Sequence, residues 1–102
     1  MKSSGGTNKI TNTGTINTAQ NESVSSGIAV VVQKTDGTEI DNSGTIHGGN
    51  YAIQGLETDD IIITNSGTIS ANNGTGPAIY LTNGTNATIT NTGTITLSLI
   101  HI

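Results

Sequence analysis

One heptapeptide occurs four times in the chain and leaves few folds open to it. It reads Ile10-Thr11-Asn12-Thr13-Gly14-Thr15-Ile16, then Ile40-Asp41-Asn42-Ser43-Gly44-Thr45-Ile46, then Ile63-Thr64-Asn65-Ser66-Gly67-Thr68-Ile69, and last Ile89-Thr90-Asn91-Thr92-Gly93-Thr94-Ile95. Between the copies stands a second element: Ile28-Ala29-Val30, Tyr51-Ala52-Ile53 and Pro77-Ala78-Ile79. From the central Ala to the next motif Gly the step is 15 residues in all three repeats (29 to 44, 52 to 67, 78 to 93). From a motif Gly to the next Ala the step is 15, 8 and 11 residues (14 to 29, 44 to 52, 67 to 78). One arc of fixed length and one that tolerates insertion is the pattern of a solenoid whose coils carry loops at one turn.

The local period identifies the coil as β. No window places apolar residues at helical spacing, and the abundance of Gly and β-branched residues disfavours helix. In the third copy Ile63, Asn65, Gly67 and Ile69 alternate with Thr64, Ser66 and Thr68, so the first set faces inward and the second outward. Asn and Gly in the middle suit a bend, the glycine by its access to left-handed backbone. Each heptapeptide therefore reads as two short strands meeting at a corner. The remaining strand of each coil turns inward Ile28, Val30 and Val32, or Tyr51 and Ile53, or Pro77, Ile79 and Leu81. Asp36-Gly37 reads as a type I′ turn. The fold expected is all-β, a parallel β-helix of about four coils with three short strands per coil. In it the four motif positions stack: the isoleucines in two columns, the glycines Gly14, Gly44, Gly67 and Gly93 at the corner, and Asn12, Asn42, Asn65 and Asn91 as a ladder of buried amides. Stacked amides bond to one another about 4.8 Å apart, which offsets the cost of burying them.

Composition narrows the functions. The chain has 102 residues, 31% of them apolar, with no Phe, Trp or Cys. It carries only three basic residues and a net charge of −4. That excludes the basic footprint a nucleic-acid partner needs, and it leaves no disulfide or thiolate metal site. No cofactor and no metal are expected.

The repeats resemble those of bacterial autotransporter passenger domains, which carry Ile-x-Asn-Ser-Gly-Thr-Ile with a Gly/Tyr-Ala-Ile element between. The resemblance spans residues 10–95. It implies a right-handed parallel β-helix and a secreted, extracellular life at the bacterial cell surface. The implied function is that of a structural or adhesive stalk and not of an enzyme. The implied partners are flanking β-helix coils, a C-terminal outer-membrane barrel, and a host-surface or matrix ligand or other copies of itself. The start, Met1-Lys2-Ser3-Ser4-Gly5-Gly6, holds no apolar stretch of a signal peptide, and the end coils carry no evident cap. Residues 1–96 therefore read as a slice of a longer passenger. Residues 97–102, Leu-Ser-Leu-Ile-His-Ile, depart from the repeat composition. They resemble one translated frame of a transposase sequencing adapter and read as a non-native tail; the plainer alternative is a further strand, since Ile95, Leu97 and Leu99 alternate.

Two other functions are written less strongly into the residues. Glu57, Asp59 and Asp60 form an acidic turn that suggests Ca²⁺ or the carboxylate pair of a polysaccharide-active enzyme. Such an enzyme needs its carboxylates converging on a groove, and a solvated turn is the plainer reading. His47 has no Ser, Cys or carboxylate partner expected at matching coil positions and reads as a surface residue, with no catalytic residue assigned. Outward-facing Thr11, Thr13, Thr15 and their counterparts in the other copies form a hydroxyl array of the kind a Thr-rich ice-binding solenoid uses. Asp41 interrupts that array, and the corner bends it. The sequons at Asn21, Asn73, Asn83 and Asn86 follow from composition. Because the Gly-to-Ala arc alone varies in length, limited proteolysis should nick residues 17–26 and 70–76 before any bond within 29–44; first cuts inside 29–44 would contradict the repeat boundaries.

Overall fold

The computed structural model describes residues 8–17, 27–71 and 77–96. The insertion arcs and the tail at 97–102 lie largely or wholly outside them. The described chain is entirely strand and turn. Strands β1 (Lys9–Asn12), β2 (Thr15–Asn17) and β3 (Ile28–Gln33) make the first coil. The second is β4 (Glu39–Asn42), β5 (Thr45–Gly48) and β6 (Tyr51–Leu56), and the third β7 (Ile62–Asn65), β8 (Thr68–Ala71) and β9 (Ile79–Thr82). β10 (Thr88–Asn91) and β11 (Thr94–Ile95) begin a fourth. The chain visits three sheets in strict rotation: β1-β4-β7-β10, then β2-β5-β8-β11, then β3-β6-β9. Every pairing is parallel. This is a parallel β-solenoid with three strands per coil.

Register follows the heptapeptide without a slip. Ile10, Ile40, Ile63 and Ile89 pair in succession along the first sheet, and Ile16, Ile46, Ile69 and Ile95 along the second. On the third sheet Val30, Ile53 and Ile79 form one inward column, and Val32, Gly55 and Leu81 another. A one-residue slip would turn each of these columns outward. All three sheets contribute to a single buried cluster. Ile40, Ile46, Ile53, Ile61, Ile63, Ile69 and Ile79 are each no more than 1% exposed within it, while the end-coil residues Ile10, Ile16, Ile89 and Ile95 are only partly covered.

The motif glycines serve a different purpose from the one their place in a bend suggests. None of Gly14, Gly44, Gly67 and Gly93 has a positive φ. Close stacking requires them instead. A Cβ on Gly44 would lie 2.0 Å from the Gly14 carbonyl oxygen, one on Gly67 2.0 Å from that of Gly44, and one on Gly93 2.2 Å from that of Gly67. At the same corner the Thr45 amide donates to the Gly14 oxygen (2.8 Å), Thr68 to Gly44 (2.8 Å) and Thr94 to Gly67 (2.9 Å). Successive bends thus nest backbone on backbone.

The fixed 15-residue arc has its cause at the corner between the third sheet and the next coil. Lys34, Glu57 and Asn83 each follow the third strand of a coil and have φ of 53°, 54° and 56°. Three residues on, Gly37, Asp60 and Asn86 have φ of 72°, 57° and 60°. Two left-handed residues separated by two others replace the type I′ turn expected at Asp36-Gly37. The corners stack by hydrogen bonds from the Lys34 amide to the Leu56 oxygen (2.9 Å) and from Glu57 to Thr82 (3.0 Å), and again from Gly37 to Asp59 and from Asp60 to Thr85 (both 2.9 Å). A residue added to one corner would break this stack, whereas the opposite corner takes insertions. There Gly48, whose Cβ would meet the Tyr51 oxygen at 1.8 Å, closes the shortest turn. Its register partner Ala71, before a longer insertion, carries a Cβ.

Gly67→Ala should be among the most damaging single-methyl additions, because the atom it strikes is backbone on an adjacent coil. A loss of about 2–4 kcal/mol in urea unfolding is expected. A change under about 0.5 kcal/mol would mean that the coils do not nest as described.

Candidate functional site

The buried polar line of the molecule is the asparagine ladder. Asn12 Nδ2 donates to Asn42 Oδ1, Asn42 Nδ2 to Asn65 Oδ1, and Asn65 Nδ2 to Asn91 Oδ1, each at 2.8 Å. Each of the three amides also meets two carbonyls that the bend turns inward. Asn42 Nδ2 lies 3.1 Å from the Gly44 oxygen of its own coil and 3.1 Å from the Thr68 oxygen of the next. Asn65 repeats this with Gly67 and Thr94, and Asn12 with Gly14 and Thr45. Asn42 and Asn65 are 0% exposed, Asn12 8%, and Asn91 is open to solvent. A buried carbonyl without a donor costs about 1–3 kcal/mol. The motif Gly oxygens already accept a Thr amide from the next coil; the Asn amide gives each of them a second donor and also bonds the neighbouring Thr carbonyl, so its role is structural.

The outward residues divide between two sheets. Thr11, Asp41, Thr64 and Thr90 stand in one column on the first sheet, and Thr15, Thr45, Thr68 and Thr94 in another on the second. The bend at each motif Gly separates them, so the hydroxyls do not form one plane. The described residues carry one ion pair, Lys9 Nζ to Glu39 Oε2 at 3.5 Å between two well-exposed side chains, a contact of little energetic weight.

His47 does have a partner at the matching position of the next coil, contrary to the expectation. It is in register with Ser70 on β8, and its Nδ1 lies 2.6 Å from Ser70 Oγ. The repeat itself aligns the two, since each directly follows a motif Ile, Ile46 or Ile69. A hydrogen-bonded Ser–His pair is the starting arrangement of nucleophilic catalysis, which also requires a group orienting the base and donors for the oxyanion. Here the pair lies along the outer face of a regular sheet whose amides are engaged in the ladder.

The acidic turn resolves into separate roles. Asp59 Oδ1 accepts from the Thr85 amide (3.0 Å) and from Thr85 Oγ1 (3.1 Å), tying one corner to the next. Glu57 and Asp60 are exposed. Among the described residues no three His, Asp or Glu side chains come together as a metal site. Tyr51 also departs from its expected inward position. Its ring stacks on Tyr80 with centroids 4.8 Å apart and 16° between the planes, and Tyr80 alternates outward between buried Ile79 and Leu81. Ala52 fills the space at the start of β6 instead and is fully buried beside Ile53. Its amide and that of Ile53 both donate to the Ala78 oxygen, at 2.8 and 3.0 Å. The crowded corner explains why Ala recurs in this element while the residue before it changes.

Compared with known proteins, the chain matches no family model, no curated protein and no solved structure.

Asn65→Ala should cost about 2–4 kcal/mol, since it strips hydrogen bonds from the Gly67 and Thr94 carbonyls and breaks the ladder. The same change at solvent-exposed Asn91 should cost under about 1 kcal/mol. Urea unfolding of the two variants checks the order; equal losses would show that the amides do not act as a buried line.

Proposed function

We propose that the chain is a segment of a structural, adhesive stalk from a secreted autotransporter-like protein, displayed at the bacterial surface. The observation that carries this reading is the strict rotation of the chain through three parallel sheets, held in register by the Asn ladder. Such an architecture spends its buried polar groups on stacking coils and not on forming a pocket. Quasi-one-dimensional solenoids of this kind extend by adding coils and hold a ligand-bearing surface away from its anchor. The absence of cysteine suits a chain exported before it folds. The sequence likeness to passenger repeats points the same way. In this reading the partners are flanking coils, an outer-membrane barrel, and a host-surface or matrix ligand met by the outer faces. Handedness is right-handed, as parallel crossovers favour.

The alternative, a fragment of a polysaccharide-active enzyme, draws on one specific feature, the His47–Ser70 pair. The two readings separate in one experiment. The chain is placed between a signal peptide and an outer-membrane barrel in a Gram-negative host. Surface display should be efficient and should be unchanged in Ser70→Ala. Polysaccharide or ester cleavage by the displayed chain that disappears in Ser70→Ala or Asp59→Ala would overturn the stalk reading. Retention in the periplasm would overturn the export half of it.

A further inference from the structure

The two ends of the solenoid are chemically complementary. The ladder runs one way: every amide donates toward the higher-numbered coil. At the upper end, among the described residues, Asn91 Nδ2 reaches only its own Gly93 oxygen, at 3.2 Å, without the acceptor that Asn42 and Asn65 find one coil on. At the lower end Asn12 Nδ2 is engaged, but among the described residues nothing donates to Asn12 Oδ1. One end offers an amide donor, the other an amide acceptor, at the same place in the coil.

Gly14 adds an independent sign. Gly44, Gly67 and Gly93 are glycine because a carbonyl from the coil beneath occupies the site of a Cβ, at 2.0, 2.0 and 2.2 Å. A Cβ on Gly14 would meet nothing within 4 Å, and its φ does not require glycine. Nothing within the described chain explains a glycine there. A carbonyl brought up from below in the same way would explain it, and the Gly93 oxygen is the equivalent carbonyl at the upper end. The amide that would complete the contact is that of Thr15, as Thr45, Thr68 and Thr94 complete it within the chain. The upper edge also lacks the charges that commonly keep sheet edges apart. β10 reads Thr-Ile-Thr-Asn and β11 Thr-Ile, with no charged side chain. Lys9 on β1 would stand in the column above Thr88, where no like charge opposes it.

We propose that the Gly14 edge of one copy docks on the Asn91 edge of another, β1 on β10 and β2 on β11, so that copies of this chain stack head to tail. The contact is heterologous and does not close on itself, so it yields open filaments. In the longer stalk proposed above, flanking coils would take the same two edges; the stacking proposed here is that of the 102-residue chain itself and requires only that it folds.

The test is sedimentation of the 102-residue chain across a wide concentration range, with Gly14→Val alongside. The average mass of the unaltered chain should rise with concentration without a plateau. A Cβ at position 14 meets nothing within 4 Å, so the melting temperature of Gly14→Val at high dilution should match, while its association should weaken at least about 100-fold. The chain has no cysteine, so single cysteines report polarity without touching Gly14. Thr13→Cys chains mixed with Thr92→Cys chains should cross-link to each other in preference to either cross-linking to itself. A chain that stays monomeric, a closed dimer, preferential Thr13→Cys self-cross-linking, or unimpaired assembly by Gly14→Val would each overturn the proposal. So would slow amide exchange along Lys9–Asn12 in the dilute monomer, which would mean that the chain covers this edge itself.

Discussion

The structure depends on the meeting of a side-chain amide with the carbonyls of a bent backbone. Bending a strand at Ser43-Gly44 swings peptide oxygens into an apolar interior where water cannot reach them. Asn42 is long enough to reach its own Gly44 oxygen and the Thr68 oxygen one coil away, at 3.1 Å each, and its remaining acceptor takes the amide of Asn12. Aspartate at this position would bring a charge and no donor, and leucine would strip a hydrogen bond from both carbonyls and leave the neighbouring ladder amide without its acceptor. The isoleucines on either side supply apolar burial, but they can do so only because the bend between them is satisfied. Asparagine is therefore the residue that permits a corner in the core, and each further coil reuses it.

Glycine at the same bend sets how near the coils may come. With the Cβ of Gly67 forbidden by an oxygen 2.0 Å away, the stacking distance is a property of the backbone and not of side-chain choice. This is why the motif combines Asn and Gly two residues apart: one satisfies the bend and the other lets the next bend settle onto it. The Ser or Thr between them points to solvent and is free to vary, as it does.

Much of this was legible in the sequence. The isoleucine columns, the order of strands and the adjacency of Asn42 and Asn65 all follow from a period of two inside an exact repeat. Three things were not. The motif Gly was readable as a bend residue, but its steric reason lies between coils, which no single repeat displays. Lys34 and Glu57 hold left-handed backbone although nothing in Lys or Glu favours it; hydrogen bonds to the coil above impose it, and only the constant length of the arc hinted that something was fixed there. The outward turn of Tyr51 likewise depends on how tightly Ala52 packs against the Ala78 carbonyl. The His47–Ser70 contact, by contrast, does follow from the repeat, because each residue stands directly after a motif Ile and the two are in register.

The left-handed corner residues separate shape from chemistry in an unusual way. Lys34, Glu57 and Asn83 share one backbone conformation and differ in charge: one cation, one anion and one neutral amide, all exposed. The conformation comes from the peptide hydrogen bonds around them, so their side chains are released from any duty to the fold, barring β-branched residues that left-handed backbone excludes. Read along the axis, the three make a vertical strip of text on an otherwise uniform column. Its letters can be changed by point mutation while the column keeps its form. A molecule built this way can alter what it presents to its surroundings at the pace of surface drift, without renegotiating its interior.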